Sequence, residues 1–102
     1  MDFAKRKDAN TSIIKQAVLD CGWQFIDTHG FGEGFPDAIA VKKIGRVYIS
    51  VYIEIKTLDG RFTKSQIKFY EKYPDLVVTC ITRQDVIDAL ALHERGIKEL
   101  SS

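Results

Sequence analysis

Residues 47–57 read Val47-Tyr48-Ile49-Ser50-Val51-Tyr52-Ile53-Glu54-Ile55-Lys56-Thr57. β-Branched and aromatic side chains dominate this run, which is typical of a long strand. A shorter apolar segment, residues 38–41, precedes it, and residues 43–46, which include Gly45, favour a turn. The two segments are therefore expected to pair as an antiparallel β-hairpin.

The segments on either side of the hairpin predict further helices and strands. In chain order, the predicted elements are a helix over 10–21, strands over 23–28, 38–41 and 47–57, a helix over 63–73, a strand over 76–81 and a helix that Thr82 caps. Asn10, Thr11 or Ser12 is the expected cap of the first helix, and residues 29–35 with their glycines are expected to form a flexible loop. The order α-β-β-β-α-β-α predicts an α/β domain with a mixed β-sheet flanked by helices, because a helical crossover joins the last two strands.

Length and composition restrict the class of protein. The 102 residues suffice for one domain, with a core over about residues 8–94 and a tail over 95–102. A formal charge of +1 gives no evidence for nucleic acid, so any basic surface must be local. No apolar run approaches the roughly 18 residues that cross a bilayer, so we expect no membrane contact and a cytoplasmic location, or the host cytoplasm for a viral protein. The isolated Cys21 and Cys80 are expected to be buried free thiols.

The hairpin is expected to bring two carboxylates and one amine together. With a turn centred between Ile44 and Gly45, Asp37 lies opposite about Tyr52, and Glu54 is one diagonal step away, roughly 7 to 8 Å. Glu54 and Lys56 then share one face of the strand, because side chains alternate. Two carboxylates suit Mg²⁺, and an ammonium beside them suits phosphodiester hydrolysis. Alternatively, Glu-x-Lys is a solvated ion pair and Pro-Asp an ordinary turn.

Three segments of the sequence resemble, in order, a known nuclease family. They are Gly34-Phe35-Pro36-Asp37-Ala38, Ile53-Glu54-Ile55-Lys56-Thr57 and Gly60-Arg61-Phe62-Thr63-Lys64-Ser65-Gln66. Together they look like the PD-(D/E)xK nuclease superfamily and, within it, the virus-type replication-repair nucleases called VRR-NUC. The resemblance implies a restriction-endonuclease-like core and DNA cleavage with Mg²⁺ or Mn²⁺, without an organic cofactor. It makes Asp37, Glu54 and the main-chain carbonyl of Ile55 metal ligands, and Lys56 the catalytic lysine.

The first helix departs from the family pattern, and Gln66 has two possible interpretations. Many family members place a glutamate on the first helix, whereas this helix offers Asp8, Asn10 and Asp20; Asp8 is predicted as the further metal ligand by its position. Its other interpretation is a favourable charge at a helix N-terminus. Gln66 is a catalytic residue that leans toward the strand in the family, or else half of a capping box with Thr63.

Basic and aromatic residues suggest where DNA would bind. The predicted DNA contacts are Arg61, Lys64, Lys68 and Lys72 on or before one helix, and Lys5, Arg6 and Lys7 near the start. Solvated lysines would show the same spacing. Phe31 and Phe35 beside the loop glycines are expected to touch bases or a neighbouring chain, or to be buried anchors.

The sequence therefore predicts a metal-dependent DNA endonuclease, selective for branched or junction DNA in replication, repair or recombination. A chain this small is expected to act as a homodimer, through exposed apolar parts of residues 47–57. A non-catalytic DNA-binding or assembly module is the alternative. An oligomerising protein without a nucleic-acid partner is the third possibility.

Overall fold

A computed structural model describes the backbone of residues 3–101 and the side chains of residues 7–100. The helices are α1 (Phe3–Asp20), α2 (Lys64–Lys72) and α3 (Arg83–Ser101), and the strands are β1 (Gln24–Asp27), β2 (Ala38–Ile44), β3 (Val47–Ile55) and β4 (Val77–Cys80). A short 3-10 helix, His29–Phe31, follows β1. Among the described residues, no helix is both long and apolar enough to cross a membrane.

The four strands form one mixed sheet in the order β1-β2-β3-β4. β1 pairs with β2 and β2 with β3 in antiparallel fashion, whereas β4 lies parallel to β3. Helix α2 makes the crossover between the two parallel strands, as such a connection requires. The predicted α/β domain with a mixed sheet and flanking helices is confirmed. The predicted ends of β1 and β4 differ from the observed ends by only one residue, a usual uncertainty at strand ends.

The hairpin register differs from the prediction. Ile44 pairs with Val47 and Ala38 with Ile53, so the turn consists of Gly45 and Arg46. The expected centre between Ile44 and Gly45 was wrong because Gly45 takes a φ of +61° at the first turn position, which a two-residue type II′ turn requires. β2 is consequently longer than expected.

The two faces of the sheet are covered by different helices. Ala40, Val51, Ile53 and Ile55 point to one face, where they form the core with buried residues of α1 and α3. Those residues are Ile14, Ala17 and Val18 of α1 and Val86 and Leu90 of α3. Because side chains alternate along β3, Tyr52 and Glu54 point to the other face, toward α2. Glu54, and Lys56 two residues further on, therefore lie outside the apolar core.

Helix α1 is longer than predicted and has a different N-terminus. It begins at Phe3 rather than near Asn10, so the predicted capping by Asn10, Thr11 or Ser12 is wrong. Residues 4–9 contain no glycine or proline, and nothing in them ends a helix. Asn10 instead uses its side chain for a long-range contact described below.

Helix α3 includes the predicted tail. It continues through Ser101, so the expected boundary at residue 95 is wrong. Glu94 explains why the helix does not fray there: Trp23 Nε1 donates to Glu94 Oε1 at 3.0 Å, and Lys42 Nζ does so at 2.6 Å. Lys42 is the main reason why the pKa of Glu94 lies below its usual value. The helix is thereby held against β2 at Glu94, the residue at which the core was expected to end.

The two cysteines are free, as predicted. Cys80 is fully buried, and burial raises the pKa of its thiol to about 12. Cys21 is only half-buried, so the expectation of burial holds for Cys80 alone.

Candidate functional site

The register brings Asp37 beside Glu54. Asp37 directly precedes β2, and extending the pairing of Ala38 with Ile53 by one residue places Asp37 opposite Glu54. The pairing is therefore direct rather than diagonal, which corrects the expected position opposite Tyr52. Asp37 Oδ2 accepts a hydrogen bond from the backbone N–H of Ile55 at 2.8 Å, so its carboxylate is held at the end of β3.

Thr28 holds the chain that leads into Asp37. Its buried hydroxyl donates to the carbonyl oxygen of Pro36 at 2.8 Å, and its backbone N–H donates to the carbonyl oxygen of Asp37 at 2.9 Å. These two bonds come from the residue after β1, which pairs with β2. Pro-Asp is thus fixed by a side chain and is more than an exposed turn.

Glu54 is a fully buried carboxylate on the α2 side of the sheet. Its exposed fraction is 0%, and its Oε1 atom has no hydrogen-bond partner among residues 7–100. Burial is the largest cause that raises the pKa of Glu54 to about 7, and the neighbouring carboxylate of Asp37 raises it further. Lys56 and Lys7 oppose the rise. Two carboxylates in such a place favour a shared proton or a cation.

Lys56 immediately follows β3, and its ammonium is held from several sides. Nζ donates to the carbonyl oxygen of Arg61 at 2.8 Å and to Gln66 Oε1 at 2.9 Å. It lies 3.5 Å from Glu54 Oε2 and 4.8 Å from the centre of the Phe62 ring. Only 8% of the residue is exposed. The Glu-x-Lys pair is therefore buried, and the solvated interpretation does not apply.

Gln66 combines the two arrangements that the sequence offered as alternatives. It forms a capping box, in which its Oε1 accepts from the Thr63 N–H at 2.9 Å and its own N–H donates to Thr63 Oγ1 at 3.2 Å. Its Nε2 simultaneously donates to Glu54 Oε2 at 2.9 Å. One amide thus starts α2 and orients both Glu54 and Lys56.

Gly34 allows the glycine loop to lie directly on the start of α2. A Cβ atom at this position would be 2.2 Å from the carbonyl oxygen of Ser65 and 2.8 Å from the nitrogen of Gln66. Gly32, Glu33 and Gly34 all have positive φ, and Phe35 N–H closes the turn onto Gly32 O at 3.0 Å. The 3-10 helix His29–Phe31 is a regular element where the sequence predicted only a loop, whereas residues 32–35 form the expected non-regular segment.

The first helix contributes a lysine to the site. Lys7 Nζ lies 3.5 Å from Asp37 Oδ1, whereas Asp8 is exposed. Asp8 lines an open cleft of about 360 Å³ together with Asp37, Gln66 and His29. The structure does not bring Asp8 into a cluster with Asp37 and Glu54, and within residues 7–100 no three His, Cys, Asp or Glu side chains are placed to hold a metal ion together.

Asp37 and Glu54 nevertheless fit one divalent cation. The Oε1 atom of Glu54 is buried without a donor, and a cation would offset both the burial and the repulsion from Asp37 that raise the pKa of this residue. Mg²⁺ commonly takes only one or two protein carboxylates and completes its shell with water and substrate oxygens. The main chain of Ile55 is adjacent through its N–H bond to Asp37.

The predicted DNA contacts lie on an exposed surface next to this cleft. Lys64, Lys68 and Lys72 are exposed along α2, and Arg61 is exposed in the loop before it. Lys7 faces Asp37, as described above. The side chains of Lys5 and Arg6 lie outside the described residues.

Asn10 is a site-supporting residue that the sequence analysis missed. Its Nδ2 donates to the carbonyl oxygen of Lys56 at 2.7 Å and to that of Ile81 at 3.0 Å. The bonds join α1 to the ends of both parallel strands. An available signal was the position of Asn10 on the same helical face as Ile14 and Ala17, where asparagine is unfavourable unless it finds partners.

Comparison with protein-family models, with curated proteins and with solved structures finds no match for this chain. The similarity to VRR-NUC therefore rests on the sequence segments quoted above.

Proposed function

We propose that this protein is a Mg²⁺- or Mn²⁺-dependent DNA endonuclease of the PD-(D/E)xK type. The observation that carries the proposal is the fully buried Glu54 carboxylate beside Asp37, with Lys56 and Gln66 hydrogen-bonded around it. Buried acidic pairs are costly to a fold, and strongly raised pKa values concentrate at functional sites. Binding of a cation would compensate the free-energy cost of burying these two carboxylates side by side.

The fold is compatible with a restriction-endonuclease-like core. Helices α1 and α3 cover one face of the mixed sheet, α2 approaches the other, and the acidic pair lies where the hairpin meets the parallel strand. The sequence resemblance assigns the same three residues, Asp37, Glu54 and Lys56, to catalysis. Both considerations support the VRR-NUC assignment.

Each residue has a distinct role in the proposed reaction. Asp37 and Glu54 would hold the cation, with the carbonyl of Ile55 as a further ligand. The cation, when bound, supplies a more acidic water and neutralises phosphate charge. Lys56 is positioned to orient the attacking water or to stabilise charge on the phosphate, since two hydrogen bonds fix its ammonium and leave one N–H group on the side of Glu54, 3.5 Å away. Gln66 is a positioning residue for Lys56 and Glu54.

Purified protein with Mn²⁺ or Mg²⁺ is expected to nick plasmid or to cut branched DNA. Asp37→Asn, Glu54→Gln and Lys56→Met should each abolish cleavage, because each keeps the side-chain volume and removes the charge. Glu71→Gln and Lys43→Met, at exposed positions away from the cleft, are matched controls that should cleave normally. Cleavage that survives all three site substitutions would refute the assignment.

A non-catalytic DNA-binding module is the second candidate. The observation in its favour is Lys7, which faces Asp37 where the family pattern has a first-helix acid. This module would bind DNA in a salt-sensitive manner without divalent metal and would be indifferent to Glu54→Gln. The cleavage panel and a gel shift with and without EDTA separate the two.

A further inference from the structure

A row of aromatic rings lies beside the open cleft that Asp8, Asp37 and Gln66 line, here called the carboxylate cleft. Phe31, Phe35, Phe69 and Tyr73 follow one another with ring centres 5.2, 5.7 and 4.9 Å apart. With Lys68 and Lys72 they line an open groove of about 550 Å³, here called the aromatic groove. The groove lies between the glycine loop and helix α2.

The rings at the two ends of the row are open to solvent. Phe31 is 68% exposed and Tyr73 is 41% exposed, whereas Phe35 packs edge-on against Tyr52 of β3 with ring centres 6.1 Å apart. Phe35 is thus anchored to the sheet, but Phe31 is not buried by the fold. Its exposed ring is available for a flat, apolar ligand.

The charges around the groove suit a phosphate backbone. Lys68 and Lys72 are exposed at its edge, and Lys72 Nζ lies 5.5 Å from the centre of the Tyr73 ring. Glu33 is the single acid among the residues that line the groove. Aromatic rings with ammonium groups beside them suit single-stranded nucleic acid, since bases stack on rings and phosphates need cations.

The groove adjoins the carboxylate cleft. Gly32 and Phe35 line both of them, and the cleft contains Asp37 and Gln66. A nucleic-acid strand that lay along the aromatic rings would therefore continue toward the proposed cation site. The rings lie on the path of the substrate rather than at a remote surface.

We propose that the aromatic groove binds an unpaired segment of DNA, with bases stacked on Phe31 and Tyr73 and phosphates at Lys68 and Lys72. This proposal rests on the endonuclease function above and names its substrate class, which is DNA with a single-stranded stretch next to the cleaved bond. In an intact duplex the faces of the bases are covered by their neighbours and cannot stack on protein rings. The groove therefore favours flaps, branches and other partly unpaired DNA.

Binding is tested without catalysis, by fluorescence anisotropy in EDTA with a labelled oligonucleotide as a single strand and as a duplex. Phe31→Ala and Tyr73→Ala should each weaken single-strand binding by roughly 5- to 150-fold, the range for loss of one stacked base, and change duplex binding by less than about 2-fold. Phe31→Trp should retain single-strand binding because it keeps a stacking face. Leu19→Ala, which removes an exposed apolar side chain from α1 outside the groove, is the control and should change neither.

Charge substitutions give an independent readout. Lys72→Ala should reduce the slope of log affinity against log salt by about one, and Glu33→Gln should tighten single-strand binding by removing a like charge. Single-strand binding that is unchanged in Phe31→Ala and Tyr73→Ala, or weakened equally for the duplex, would overturn the groove proposal while plasmid cleavage still supported the endonuclease. Tighter binding of an RNA strand of the same sequence would reassign the groove to RNA. A protein that neither binds nor cleaves DNA would overturn both proposals.

Discussion

The buried carboxylate of Glu54 should lower the stability of the metal-free protein at neutral and alkaline pH. In the folded protein Glu54 keeps its proton up to a pKa of about 7, whereas its ordinary value is 4.5. The folded state therefore binds more protons than the unfolded chain between these values. By linkage, this residue makes the free energy of unfolding fall as pH rises from about 4.5 to 7, with no further loss above that range.

The size of the effect follows from the pKa difference. A rise from 4.5 to about 7 corresponds to ~3 kcal/mol of lost stability once Glu54 is ionised. The opposing effects of Lys56 and Lys7 are already contained in that net rise. Glu54→Gln removes the charge at every pH and replaces one oxygen by an NH₂ group that can donate to Asp37. The variant should therefore be more stable than wild type at pH 8 by up to about 3 kcal/mol, and about equally stable at pH 4.5.

Urea unfolding in EDTA at a series of pH values measures this difference directly. A gain of about 3 kcal/mol corresponds to a melting temperature higher by roughly 12 °C or more in a chain of this size. The comparison of two proteins at each pH cancels other titrating groups, such as the exposed His29, whose pKa Asp27 raises. Glu71→Gln, an exposed glutamate on α2, is the matched control and should follow wild type.

Adding Mg²⁺ at pH 8 extends the experiment to the cation. Wild type should gain about 1.4 kcal/mol at a Mg²⁺ concentration ten times the Kd, and Glu54→Gln should gain much less. Two results would refute the reasoning. Equal stability of the two proteins at pH 8 would mean that Glu54 ionises without cost, and equal stabilisation by Mg²⁺ would mean that the ion binds elsewhere.

Three further outcomes are expected. Asn10→Ala should lower the free energy of unfolding by about 2–3 kcal/mol in urea titrations, since two carbonyl groups lose their donor, and Asn10→Asp should cost more because it offers none; a neutral Asn10→Ala would contradict this. Gly34→Ala should abolish plasmid cleavage at a temperature where a melting assay shows that the variant is still folded. The reason is that the added Cβ would displace Ser65 and, with it, the start of α2. The protein should elute as a homodimer from a sizing column with light-scattering detection, and Tyr48→Glu should yield monomer, because the exposed apolar residues of β3 are confined to Val47 and Tyr48; a wild-type monomer at all concentrations would reject the dimer.

The acidic pair could be predicted from the sequence because it depends on local rules. Alternation along a strand places Glu54 and Lys56 on one face, and a short turn makes residues 38–44 pair with 47–53. Only the register was wrong, and it depended on which residue took the positive φ of the turn. Once Gly45 is placed first in the turn, the diagonal neighbour of the prediction becomes a direct one.

The residues that hold the pair could not be predicted in the same way. Lys7 contacts Asp37 across 30 positions, and Asn10 contacts Lys56 across 46. Both contacts depend on where α1 lies against the ends of the strands, which no periodic pattern within α1 specifies. For Gln66, the capping-box pattern predicted the contact with Thr63, and only the family resemblance predicted that the side chain also leans toward the strand of Glu54.

The same two segments carry both the proposed chemistry and the proposed DNA groove. The loop from Phe31 to Asp37 supplies two rings of the groove and one carboxylate, and helix α2 with the following Tyr73 supplies the other rings, the lysines and Gln66. Gly34 joins the segments at a separation that no side chain would permit. A DNA strand bound on Phe31 would therefore contact both the loop that positions Asp37 and the helix that positions Glu54 and Lys56. Selection of unpaired DNA and alignment of the cleavage site would then be one event.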